Sequence, residues 1–153
     1  MTQVSLFQKI GRLVFLILLL NLIGSIGAAY MTEDTMIWYH TLPQSSLTPP
    51  PYVFGIVWGT LFLLQAISAF LVWGKASPRY FVAQLILNML WSFTFFYLKR
   101  PDFAFVTVLI FVIALIFNIK SFGHVNKLAG WLLVPTLLWA LFAIYLNGVI
   151  VFA

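Results

Sequence analysis

Residues 47–73 read LTPPPYVFGIVWGTLFLLQAISAFLVW: three prolines, then twenty-two residues from Tyr52 to Trp73 without a charge. A run of about 20 mainly apolar residues is long enough to cross the hydrocarbon core of a bilayer as a helix. Proline is tolerated in the first turn of a helix, where its missing N–H has no partner in any case. Pro49, Pro50 and Pro51 therefore read as a stiff corner that sets the angle at which the preceding segment enters a membrane span. Trp58 then lies more than a turn inside that span, away from the interface where tryptophan usually collects.

The same texture extends in both directions. Of the 153 residues, 63% are hydrophobic and 7% charged, whereas a soluble domain keeps roughly a quarter of its residues charged. Five apolar tracts qualify as spans, at about 10–31, 52–73, 80–98, 102–120 and 128–152. The expectation is one integral membrane domain over residues 1–153, an all-α bundle of five transmembrane helices. The apolar run after Lys9 and Arg12 is longer than the core of a signal peptide, so it reads as the first span rather than a cleaved leader.

The charges that remain report topology. Lys9, Arg12, Lys75, Arg79, Lys120 and Lys127 fall at one end of the spans, and Lys99 and Arg100 at the other. By the positive-inside rule the N-terminus lies in the cytoplasm and the C-terminus outside. The basic residues are spread over loops rather than gathered on one face, so no nucleic-acid partner is indicated. With no cysteine in the chain, disulfides, thiol catalysis and cysteine metal sites are excluded. Short loops in a short chain suit a bacterial inner membrane.

Three of the four connections are short, which places consecutive spans side by side and antiparallel. The first connection, 32–51, is long enough to fold over one end of the bundle as a lid, with Trp38, Pro49 and Pro50 as its marked residues. No internal repeat suggests a transporter built from inverted halves.

Polar side chains in hydrocarbon face other helices or a cavity. At helical spacing they form stripes: Asn21, Ser25 and Ala28 in span one, and Trp58, Phe62 and Gln65 in span two. Gln84, Asn88 and Trp91 follow in span three, then Trp139, Ala143 and Leu146 beside Asn147 in span five. Span four is poorer, with Thr107 and Asn118. No Asp, Glu, Lys, Arg or His lies well inside a span, which argues against proton-coupled pumping, ion conduction and acid–base catalysis by side chains. Indoles, aliphatic walls and a few amides suit a flat, largely apolar ligand.

Several of these residues recur in an ordered pattern. Trp38-Tyr39, Leu42, Thr48-Pro49-Pro50, Val53-Phe54 and Trp58-Gly59-Thr60-Leu61 resemble the signature of the translocator protein (TspO/MBR) family, also called tryptophan-rich sensory proteins or peripheral benzodiazepine receptors. The resemblance continues through Gln84-Leu85, Asn88, Trp91, Phe95-Phe96, Pro135, Leu138-Trp139, Phe142-Ala143 and Leu146-Asn147. It implies a five-helix membrane bundle, commonly a homodimer, whose ligand pocket is closed by the first loop. It further implies porphyrins, including haem, as ligands rather than an obligatory cofactor, with sterols and isoquinoline or benzodiazepine compounds as others. Some bacterial members are associated with light-dependent porphyrin breakdown, for which Trp58 and Trp139 would be the candidate relay. Carried over by position, Trp58 and Trp139 match pocket tryptophans, and Asn88, Ala143, Leu146, Ala28 and Met31 match pocket walls. Gln84 and Trp91 match the span-three motif, and Phe103 stands where some members carry a pocket-side tryptophan. Leu47, Pro51 and Thr136 depart from the pattern, as does the ending Gly148–Ala153, which lacks the tyrosine and basic residue of a sterol motif. The resulting expectation is a membrane receptor or sensor for tetrapyrroles. A porphyrin-degrading enzyme and a facilitative transporter of porphyrin or sterol are the alternatives.

Overall fold

A computed structural model describes residues 5–153; the extreme N-terminal end, expected in the cytoplasm, lies outside the described residues. The described residues form α1 (Leu6–Ala29), α2 (Glu33–His40), α3 (Pro51–Leu71), α4 (Arg79–Ser92), α5 (Pro101–Val125) and α6 (Lys127–Phe152). A π-helical turn, Phe93–Tyr97, prolongs α4. Among them α1, α3, α4 with its π turn, α5 and α6 are long and apolar enough to cross a membrane.

Local chemistry explains the helix ends. Ser5 and Gln8 form a capping box at the start of α1. Pro51 is the first residue of α3 and Pro50 its extended cap, as the proline corner predicts. Asn126 ends α5 and caps α6 by accepting from the Ala129 amide, so one residue makes the tight reversal. The segment 32–51 is not loop throughout, because it contains α2. Its signal is legible in retrospect: Thr32 caps the helix, and Glu33 and Asp34 occupy the first turn, where carboxylates favour the helix dipole. Two span limits also move. The first helix begins earlier, at Leu6, and α5 runs on to Val125, a turn past Lys120.

The spanning helices close into a ring in which α1 packs on α3, α3 on α6, α6 on α5, α5 on α4 and α4 on α1. This corrects one expectation: α3 and α4 are consecutive but are not close-packed neighbours, since α1 stands between them. The connection 72–78 spans seven residues, which reach about 23 Å when extended. That is enough to pass one helix at the usual 8–10 Å spacing.

The end carrying Lys9, Arg12, Lys75, Arg79, Lys120 and Lys127 forms a basal half that is packed solid. Leu16, Leu20, Ala66, Leu115 and Leu133 are buried there. Phe81 of α4 stacks on Phe122 of α5 at 5.6 Å. Gly123 and Gly130 let α5 and α6 touch, since a Cβ on Gly130 would stand 2.9 Å from the Gly123 Cα. Polar groups pair across helices: Gln84 Nε2 donates to Gln65 Oε1 at 2.8 Å, and Gln65 Nε2 to Thr136 Oγ1 at 3.4 Å. Ser68 Oγ donates to the Ala129 carbonyl at 2.6 Å.

Candidate functional site

The other half of the ring is hollow. A cavity of about 300 Å³ lies beneath α2, at the lower end of the roughly 300–1,000 Å³ typical of ligand pockets. Its aromatic wall comes from Trp58 and Phe62 on α3, from Trp91 on α4 and from Phe95 and Phe96 on the π turn. Trp58 and Phe62 lie 5.4 Å apart, one turn apart on the same helix face. The π turn matters to this wall because an extra residue per turn re-aims the side chains beyond it. Phe95 and Phe96 thereby meet both Trp91 and the lid residue Tyr39.

Two asparagines face this space differently. Asn147 is committed: its Oδ1 accepts from Trp91 Nε1 at 3.2 Å, and its Nδ2 donates to the Pro101 carbonyl at 2.9 Å. It ties α4, α5 and α6 together and fixes the Trp91 ring. Asn88 lines the cavity at 8% exposure, and its amide has no hydrogen-bond partner among the described residues. An unsatisfied amide in an apolar space is costly, so Asn88 is available to a ligand's polar edge.

The lid is held at three places. Trp38 packs edge-on against Phe95 at 5.9 Å, with Lys99 Nζ 5.9 Å from its ring. Tyr39 lines the cavity, and burial pushes its phenol above the ordinary value, so it stays neutral. Beyond α2 the Ser45 and Tyr145 hydroxyls share a hydrogen bond of 2.9 Å, strapping the segment to α6.

Of the residues singled out from the sequence, Trp58, Phe62, Asn88, Trp91, Ala143, Leu146, Ala28 and Met31 come together around the cavity. Others lie elsewhere. Trp139 lines a side chamber of about 20 Å³ behind Trp58, which the two spaces share together with Asn88. Gln84 is not on the cavity wall, because its amide is drawn into the basal network with Gln65. Phe103 is 53% exposed on the outside of α5, beneath the Arg100 guanidinium at 4.2 Å. Among the lid residues, Trp38, Pro49 and Pro50 brace the cover from outside the lining. Met36, Tyr39 and Pro51 face inward. Sequence reasoning missed Met36, Phe54, Met89 and Ser92 as lining residues, since nothing polar or aromatic at a telling spacing marks Met36 or Met89.

A five-helix membrane bundle with an apolar, lidded cavity between its helices defines an integral membrane protein that encloses a ligand-sized space. The family model described as the TspO/MBR family matches residues 15–153, and the chain belongs to that family. A protein named tryptophan-rich protein TspO from Archaeoglobus fulgidus is 34% identical over 92% of this chain and 95% of its own length. The human translocator protein is 30% identical over 80% of this chain and 78% of its own. A tryptophan-rich sensory protein from Cereibacter sphaeroides is 32% identical over 72% of each chain.

Proposed function

We propose that this protein is a membrane receptor or sensor that holds a porphyrin-type tetrapyrrole, or another flat apolar ligand, in the cavity beneath α2. The observation that carries the reading is the lining itself: Trp58, Trp91 and Phe62 supply stacking faces beside the unpartnered amide of Asn88. Aromatic faces attract a flat ring system. A single amide in an otherwise apolar wall fixes orientation without needing a charged partner. The relatives named sensory protein and translocator protein agree with a receptor role at this coarser level. Sterols and isoquinoline or benzodiazepine compounds are the further ligand classes for the same space. On the positive-inside reading the basal half sits in the cytoplasmic leaflet of a bacterial inner membrane, and a second copy of the chain is the expected partner.

Titration of the protein in lipid nanodiscs with protoporphyrin, followed by tryptophan emission, tests this reading. Saturable quenching whose affinity falls in Trp58→Ala is the expected result, and equal affinity in the variant would place the ligand elsewhere. One feature favours photo-oxidative porphyrin breakdown as the second reading. Trp58, Trp91 and Trp139 border one small chamber, a geometry suited to passing an electron hole among indoles. Under illumination, Trp139→Phe should then lower product yield while leaving binding intact; equal yield removes the case for catalysis.

A further inference from the structure

The cavity's walls are most exposed on one side. Towards α4, α5 and α6, Asn88, Phe95 and Asn147 are buried. The lid covers the end nearest water, and the paired amides of Gln65 and Gln84 fill the bundle on the basal side. At the seam of α1 and α3, however, the lining residues are themselves exposed. They are Asn21, Ser25 and Ala28 on α1, and Pro51, Gly55 and Gly59 on α3. Spacings of three and four keep each row on one helix face, and the helices are antiparallel, so the rows flank one slot. A Cβ added to Gly55 or Gly59 meets nothing within 4 Å. Just below Ser25 the slot closes again, since a Cβ on Gly24 would stand 2.7 Å from a Phe62 ring carbon, and Asn21 lies on the basal side of that contact. Both rows belong to membrane-spanning helices, so the slot faces hydrocarbon.

We infer that the cavity is a blind pocket loaded sideways: an apolar ligand dissolved in the lid-side leaflet passes between α1 and α3, and leaves by the same slot without crossing the basal half. The inference rests on the proposed ligand class and adds the route and the side from which the ligand comes. Asn88, buried and unpartnered on the closed wall, is the polar group such a ligand meets once inside. A barrier shared by arrival and departure changes both rates by one factor and leaves the dissociation constant alone.

Leucine at Gly55 or Gly59 narrows the slot where space is open, and it favours the helix by roughly 1 kcal/mol over glycine. Stopped-flow quenching by protoporphyrin in nanodiscs should therefore show slower association and slower release in Gly59→Leu and in Gly55→Leu. Tyr145→Phe, which releases the strap of the lid, should move neither rate. Unchanged rates in both glycine variants, with faster rates in Tyr145→Phe, overturn the inference in favour of passage under the lid. A second measurement needs no porphyrin: lipids carrying a nitroxide on the acyl chain quench tryptophans reachable from the bilayer. The share of that quenching removed by Trp58→Phe should also be missing in Gly59→Leu. If Trp58 contributes no such share, the slot is refuted. If it does, yet protoporphyrin fails to bind, the ligand assignment is what fails. Delivery of porphyrin into the lumen of proteoliposomes faster than into protein-free vesicles refutes the blind end.

Discussion

The basal half and the lid half of the bundle draw on the same residue types and put them to opposite uses. In the basal half a glycine, Gly130, lets two backbones meet; in the lid half Gly55 and Gly59 face open space. In the basal half Gln84 pairs with Gln65, though the fully buried Asn118 has no partner among the described residues, whereas the unpaired Asn88 one turn further along α4 opens onto the cavity. Basal phenylalanines stack on each other, Phe81 on Phe122, while Trp58 and Phe62 meet at a tilt along their own helix and line the cavity. Lipid is as apolar as leucine, so close packing and polar pairing decide where helices join. Where small residues let helices meet closely the bundle is solid, and where they face no partner it stays hollow.

The sharpest way to break this contrast is Gly130→Ala. The new methyl strikes backbone that cannot move aside, and overpacking of this kind costs about 1–3 kcal/mol. Thermal unfolding in nanodiscs should show the largest drop of any single methyl added to the bundle; an unchanged Tm would mean the basal seam is looser than its glycines imply. Gln65→Leu comes next. It strips Gln84 Nε2 of its acceptor and Thr136 of a donor, leaving a buried amide unpaired at a cost of about 1–2 kcal/mol. The same assay reads it, and no loss of stability would show that the network is ornamental to the basal half.

In the lid half the effects fall on ligand rather than on fold. Trp58→Ala should weaken protoporphyrin binding by about 1 kcal/mol, roughly fivefold, which is the scale of one aromatic face. Trp139→Ala, lying behind it in the side chamber, should weaken it less. Reversal of that order in fluorescence titrations would set the ligand against Trp139 rather than Trp58. Smallest of all is Tyr145→Phe. Loss of one exposed hydroxyl pair costs about 0.5 kcal/mol or less, read as a slight shift in Tm.

Much of this was legible in the chain alone. The uncharged run 52–73 and its four counterparts required five spanning helices, because only a helix satisfies its own backbone in hydrocarbon. The prolines before Tyr52 marked the start of α3, and the stripes through Trp58, Asn88 and Ala143 pointed inward, where the cavity lies. Periodicity tells which face of a helix is polar, not which neighbour meets it. Gln84 and Asn88 therefore looked alike, until the pairing with Gln65 removed one from the cavity wall. Phe103 looked equivalent to a pocket residue, but the start of α5 turns it outward under Arg100.

The order of helices in the ring, with α1 between α3 and α4, was likewise undetermined by loop length, since seven residues reach either a neighbour or the helix beyond it. Sequence set the spans, their ends and the faces they bury, because those follow from transfer of side chains and backbone into hydrocarbon one helix at a time. Which residues line the hollow and where it opens were decided by the tertiary structure, because an empty space is a relation among helices that no single helix encodes.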